Sequence, residues 1–210
     1  MRTTIQLGNV TTRLAILDGV PGDPDNPASN AVNLSGNDGI LAIAELDTPL
    51  MENGRLWAGY WQYSADFERP FDLTVGDGNA GWYIGAERQF ELGTRSAAAY
   101  LRYGQADENF NPVESFVGLG LVVDAPFRNR PDDQVGVSMA LARVGGLYRA
   151  ALSGSGIGPQ SHETVWEITY RAQINEWFAL QPDIQLVQNP AASSTLENAW
   201  IVGLRVHFAY

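Results

Sequence analysis

The sequence predicts an all-β chain, an antiparallel transmembrane β-barrel. Three observations predict it. Apolar residues recur at every second position over most of the chain. The connections between these stretches alternate long and short, as in outer-membrane barrels. Aromatic residues gather at the ends of the stretches, where a membrane interface would hold them.

The alternating stretches follow in chain order. The first ones, 3–7, 11–17 and 40–46, are short and noisy; 3–7 would be an optional eleventh strand. In 55–63 either face could be apolar, because Trp57 and Trp61 oppose Leu56 and Tyr60. Trp82, Ile84 and Ala86 alternate with Tyr83, Gly85 and Glu87 until Arg88 breaks the pattern. Ala97, Ala99, Leu101 and Tyr103 form the next apolar series, then Val117, Leu119, Leu121 and Val123, then Val135, Val137, Met139 and Leu141. Trp166, Ile168, Tyr170, Ala172 and Ile174 follow, then Phe178, Leu180, Pro182, Ile184 and Leu186. The last series is the clearest: Trp200, Val202, Leu204, Val206, Phe208 and Tyr210 against Ile201, Gly203, Arg205, His207 and Ala209. This makes about ten strands of roughly 9–11 residues, the length a tilted strand needs to cross a bilayer. No stretch of that length carries a helical period.

The connections at 19–37, 65–79, 145–162 and 189–197 are long, and those at 48–54, 91–94 and 175–176 are short. Those at 106–112 and 125–132 are intermediate. With the C-terminus placed in the periplasm, every long connection falls outside, and only 125–132 is ambiguous. Trp82, Trp166 and Trp200 then mark the outer rim, and Phe90, Trp177, Phe178, Phe208 and Tyr210 the inner rim. A soluble barrel also alternates, but it buries its apolar face. Here the other face carries Glu, Gln, Arg, Asp, Gly and Ser in strand after strand, which suits a wet lumen.

Composition narrows the partners. The 210 residues carry 13 Lys and Arg against 24 Asp and Glu, a net charge of −11. With no basic cluster, nucleic acid is excluded as a partner. There is no cysteine, hence no disulfide framework and no thiolate metal site. No apolar run approaches the roughly 18–20 residues of a spanning helix, and 1–7 carries no signal-peptide core. No cofactor and no metal are expected. The oxygen-rich loop Gly22-Asp23-Pro24-Asp25-Asn26 lacks the spacing of an EF-hand and reads as an ordinary turn. The acidic loop residues Asp107 and Glu108 read as surface solvation. Ser161 beside His162 could suggest a rim esterase, but no third partner is in sight.

The aromatic C-terminus, preceded by apolar residues at alternate positions from Trp200, resembles the signal by which the barrel assembly machinery recognises its clients. A narrower resemblance rests on Glu167-Ile168-Thr169-Tyr170-Arg171-Ala172-Gln173-Ile174, Trp177, Leu180-Gln181-Pro182-Asp183-Ile184-Gln185, Asn189-Pro190 and Asn198-Ala199-Trp200-Ile201-Val202-Gly203-Leu204-Arg205. Gly81-Trp82-Tyr83-Ile84-Gly85-Ala86-Glu87, Leu17-Asp18-Gly19-Val20-Pro21-Gly22-Asp23 and the stretch from Ala125 to Val137 add to it. Together they resemble the carbohydrate-selective porin (OprB) family, most specifically over the last forty or so residues. The resemblance implies a Gram-negative outer-membrane barrel of about sixteen strands, roughly twice this length. It would pass small carbohydrates such as monosaccharides passively. Residues 1–210 are then expected to form a single barrel domain lacking N-terminal strands, with a self-contained small barrel as the alternative.

A porin selects by pore width, hydrogen-bonding groups and fixed charge. The lumen-face candidates are Glu87, Gln89, Arg102, Glu167, Arg171, Gln173, Gln181, Asp183, Gln185 and Arg205. Arg171 and Arg205 would oppose Glu167 and Asp183 across neighbouring strands. Expected partners are small sugars, outer-membrane lipid and the assembly machinery, with the protein a monomer or a homotrimer. The competing functions are a general diffusion porin without sugar preference, an outer-membrane barrel enzyme, and a soluble carrier with an apolar interior.

Overall fold

A computed structural model describes residues 1–19, 39–72, 74–154, 156 and 158–209. Eleven strands form one antiparallel sheet. They are β1 (Arg2–Leu7), β2 (Val10–Asp18), β3 (Ile40–Pro49), β4 (Gly54–Tyr63), β7 (Ala80–Leu92), β8 (Arg95–Ala106), β9 (Val113–Asp124), β10 (Gln134–Val144), β11 (His162–Asn175), β12 (Phe178–Gln188) and β13 (Ala199–Phe208). Each strand pairs with the next in that order. A two-residue pair, β5 (Phe67–Glu68) and β6 (Val75–Gly76), lies in the connection between β4 and β7. Among the described residues the sheet thus has eleven strands, the optional eleventh being 2–7, which pairs with β2 through the Gly8-Asn9 turn. Gly8 takes φ +61, which a two-residue hairpin turn of this hand requires. Among the described residues β1 and β13 do not pair with each other, so the sheet is an open antiparallel wall, as expected for part of a larger barrel.

Short connections link β1–β2, β3–β4, β7–β8 and β11–β12 at one end of the sheet, and long ones link β2–β3, β4–β7, β10–β11 and β12–β13 at the other. The ambiguous connection, residues 125–133, belongs to the short-turn end and is a built turn. Asp133 is 1% exposed there. It accepts hydrogen bonds from Arg130 Nε (2.6 Å), Gln173 N–H (2.9 Å) and the Tyr170 hydroxyl. Burial pushes the Asp133 carboxyl up, but the hydrogen bonds from Arg130, Tyr170 and the Gln173 backbone outweigh it and hold it below the usual carboxylate value.

Among the described residues one α-helix departs from the all-strand expectation: α1 (Gly146–Gly154), in the β10–β11 connection. Its Leu, Arg and Ala residues are strong helix formers, but nine residues are too few to show a period. Glu108 accepts a hydrogen bond from the Gly146 N–H at the helix start (2.9 Å), where a carboxylate also complements the helix dipole. Asp107 accepts from the backbone and side chain of Asn109. Both acids therefore organise their loops rather than merely solvating them. Phe71 and Tyr148 meet at 5.7 Å, joining the β4–β7 connection to α1.

The two faces differ. On one face Trp200, Val202, Leu204, Val206 and Phe208 are exposed by 46–78%, and Leu101, Val137, Trp166, Ile168 and Ile184 by 45–53%. No second layer among the described residues covers them. Buried apolar residues among those described are few and mostly small, such as Ala97 and Ala179. A soluble sandwich or barrel would have packed this face into its core. Trp82, Trp166 and Trp200 lie toward its long-loop edge, and Trp177, Phe178 and Phe208 cluster at the other with centroids 5.2–6.4 Å apart. No helix among the described residues is long and apolar enough to cross a membrane.

Candidate functional site: the polar wall

The strand registers decide which residues share the polar face. Arg13 is opposite Glu45, Asp47 opposite Trp57, Arg55 opposite Glu87, and Glu87 opposite Tyr100. The same parity carries through Gly120, Ser138, Glu167, Gln185 and Ile201 to the last strand. All ten of the sequence-predicted polar positions fall on this face.

The wall has three zones. The first, on β2, β3, β4, β7 and β8, holds a continuous charge network. Arg13 bridges Glu45 (2.9 Å) and Asp47 (3.0 Å), and Arg55 bridges Asp47 (3.2 Å) and Glu87 (3.2 Å). The Tyr83 hydroxyl donates to Glu45 at 2.8 Å. Arg55 lies 4.5 Å over the Trp57 ring, and Arg102 lies 6.0 Å from Trp57 and 5.2 Å from Tyr100. With Arg102, three guanidiniums balance three carboxylates. Trp57, Trp61 and Tyr63 continue along β4, with Trp61–Tyr63 and Tyr63–Phe67 in edge contacts at 5.8 and 5.0 Å. This settles the undecided strand: Trp57 and Trp61 belong to the polar face, and Leu56 and Tyr60 to the apolar one.

Glycine lets these rings lie flat on the wall. Trp57 crosses Gly85, and Tyr83 crosses Gly59, so closely that a Cβ at either glycine would collide with the ring. Cross-strand pairing of an aromatic with a glycine covers the exposed backbone and holds the ring against the sheet.

The second zone, on β9 and β10, is lined by Gly118, Gly120, Gly136, Ser138 and Ala140. The third zone, on β11 to β13, is rich in amides. Gln181 donates to Thr169 Oγ1 (3.0 Å) and meets His207 Nε2 (3.0 Å), and Gln185 donates to Asp183 (3.2 Å). Gln173 donates to the Asn175 carbonyl at 2.6 Å. No direct ion pair joins Arg171 or Arg205 to Glu167 or Asp183 among the described residues. In the register Arg205 faces Gln181, Asp183 faces Gly203, and Arg171 faces Gln134, so the expected opposition is offset along the strands.

The structure therefore brings Glu87 and Arg102 into the charge network, places Gln89 beside it, and sets the other seven candidates apart. The sequence reading missed Arg13, Glu45, Asp47, Arg55, Trp57, Tyr83 and Tyr100. Their signal was the parity that Arg55 and Glu87 share, which needs the register to be seen. Of the C-terminal stripe, Trp200 to Phe208 lie on the apolar face of β13. Tyr210 and the loop Gly22-Asp23-Pro24-Asp25-Asn26 lie outside the described residues. Ser161 Oγ meets His162 Nδ1 at 2.8 Å, and the other ring nitrogen has no partner among the described residues.

Three comparisons bear on the chain. The description "Carbohydrate-selective porin, OprB family" matches residues 1–210. Porin B of Pseudomonas aeruginosa is 22% identical over 147 residues, which are 62% of this chain and 32% of that protein. The putative porin QuiX of Acinetobacter baylyi is 27% identical over 119 residues, 50% of this chain and 27% of that one. A high-pH structure of Pseudomonas putida OprB superposes with a TM-score of 0.84 at 20% identity, covering 100% of this chain and 58% of the other. The chain thus spans about a third of the length of the first of these relatives, and the structural likeness shows the fold.

Proposed function

Because the chain belongs to the carbohydrate-selective porin (OprB) family, we propose that its polar wall lines a passive path for small carbohydrates. Its place is the bacterial outer membrane. The observation that carries the proposal is the separation of faces: Val202 is 78% and Leu204 65% exposed on one side, while the charge network from Arg13 to Glu87 occupies the other. Exposed aliphatic side chains of that extent are at home in hydrocarbon and costly in water.

The lumen candidates Glu87, Gln89, Arg102, Glu167, Arg171, Gln173, Gln181, Asp183, Gln185 and Arg205 then offer donors and acceptors to sugar hydroxyls. The aromatic rings on β4 offer flat apolar surface to the C–H faces of a sugar ring. The protein does no covalent chemistry in this reading. Ser161 and His162 are sequence neighbours, and a triad would need a third group to orient the imidazole. Outer-membrane lipid covers the apolar face. The stripe on β13 presents an apolar extended segment with a free edge to the assembly machinery, in the manner of strand addition.

Liposome swelling with the full-length protein and sugars of graded size tests the function. Faster entry of monosaccharides than of equally sized non-sugar solutes supports a sugar channel. Entry that follows size alone makes it a general diffusion pore.

A further inference from the structure

Among the described residues, the connections at the short-turn end have two to four residues, except for 125–133. That longer turn gathers arginines on the apolar side of the wall. We propose that this corner binds one anionic phospholipid of the periplasmic leaflet, its phosphate held by Arg95, Arg128 and Arg130 and an acyl chain laid in the hollow above them. The proposal rests on the reading of the apolar face as the lipid face, and adds which lipid stays there and what holds it.

The register puts the group on the membrane side. Ala97, Val123, Val135 and Tyr170 stand in one row across β8 to β11 on the apolar face. Arg95 is two residues before Ala97, hence on the same side of β8. Its Nε donates to the Ala125 carbonyl at 2.9 Å. The Phe127 ring meets Tyr170 edge-on at 5.8 Å, so it lies on this face too, 59% exposed. Arg130 pairs with Phe127 in an isolated antiparallel bridge, which sends both side chains to one side. Arg128 is exposed at the tip between them. Arg130 ties the turn down, reaching Asp133 at 2.6 Å and the Gln173 carbonyl at 3.0 Å.

The free groups choose the ligand. The Arg128 guanidinium makes no hydrogen bond among the described residues, and neither do the two terminal nitrogens of Arg95 or Nη1 of Arg130. Guanidinium forks match the paired oxygens of a phosphate. Arg95, Arg128 and Arg130 meet only Asp132 and Asp133 on the turn itself, and Asp133 is already spent on Arg130, Tyr170 and Gln173. Glu52 and Glu176 belong to the flanking turns, and Arg88, on the apolar face of β7, reaches back to the Glu52 carbonyl at 3.4 Å. Glu91 and Asp124, at the same end, belong to the polar face. A phosphodiester with net negative charge satisfies the forks, whereas a zwitterionic headgroup would set its own ammonium among them.

The hollow takes the chain. The next row up the wall, roughly 7 Å higher, is Ala99, Leu121, Val137, Ile168 and Ile184. These residues and Trp166 help to line a hollow of about 510 Å³. Its one charged lining residue, Glu167, belongs to the polar face. An apolar hollow directly above a phosphate site fits a lipid, and gives free phosphate nothing to bind.

The test is native mass spectrometry of the full-length protein in mild detergent, with phosphatidylglycerol and phosphatidylethanolamine of the same acyl chains as probes. The wild type should hold phosphatidylglycerol at least fivefold more tightly. Arg128→Gln, which breaks no contact in the wall, and Arg95→Gln should each weaken that binding at least threefold, whereas Arg143→Gln, at the outer end, should leave it unchanged. Val137→Trp fills the hollow and should weaken both lipids at least threefold. The heat-modifiable gel shift of each variant identifies those that fold. Equal binding of the two lipids, or phosphatidylglycerol binding indifferent to Arg95 and Arg128 or to Val137 in folded variants, overturns the site and leaves the face assignment and the channel standing. A wild-type protein that holds neither lipid and stays out of vesicles overturns the face assignment and the site together.

Discussion

Placing a charge at Ile184 tests the assignment of faces most directly. Ile184 is the seventh residue of β12, pairs with Ile168 and Val202, and is 45% exposed. Six steps of ~3.4 Å put it roughly 20 Å along the strand from Phe178, and a ~45° tilt turns that into about 14 Å of height. An apolar band about 25 Å tall has its middle near that level. Arginine there should cost about 2–4 kcal/mol, whereas at Phe208, in the aromatic rim, it should cost about 0–1 kcal/mol. The first range is a factor of roughly 30 to 1,000 in the folding equilibrium. Gln185 is the next residue along and points to the polar face, so Gln185→Arg adds the same charge at nearly the same depth. Folding of the full-length protein into vesicles, titrated with guanidinium, reads all three. The expected order of cost is Ile184→Arg far above Phe208→Arg and Gln185→Arg. Equal cost at Ile184 and Gln185, or a greater cost at Gln185, refutes the face assignment and with it the channel.

Three further outcomes follow from the same geometry. Asp47→Asn removes the carboxylate that holds both Arg13 and Arg55, so the reversal potential in a salt gradient should move toward anion preference; an unchanged potential would place this network off the ion path. Gly85→Val should push the Trp57 ring off the wall and destabilise by about 1–3 kcal/mol, while Gly104→Ala, whose added Cβ meets nothing closer than 3.7 Å, should be near neutral in thermal unfolding. The Asp133 carboxyl is held below its ordinary value, so its stabilising contribution is complete above the unfolded carboxylate pKa of about 3.9 and fades as pH falls through the lower folded value. The protection factor of the Gln173 amide, its exchange relative to an unstructured chain at the same pH, should therefore fall in acid in the wild type, and in Asp133→Asn it should already be low at neutral pH.

The C-terminal strands were legible because their period is clear: Trp200, Val202, Leu204, Val206 and Phe208 share one side, with Ile201 the one large apolar residue opposite, and the register reproduces that division. The strand at β4 was not legible, because Trp57, Trp61, Leu56 and Tyr60 are all large and apolar enough for either face. Only its pairing, with Arg55 beside Glu87, tells the faces apart. The buried turn around Asp133 was read as a medium loop, since its partners Tyr170 and Gln173 come from some forty residues away.

By itself the sequence determined the strand period, the alternation of long and short connections, the resemblance to a porin family, and the polar character of one face. These are local properties, carried by residues two apart or by the composition of a loop. Tertiary structure alone decided which polar residues touch. Arg13, Glu45, Asp47, Arg55 and Glu87 come from four strands, and they meet because the hydrogen-bond register slides each strand to one alignment with its neighbour.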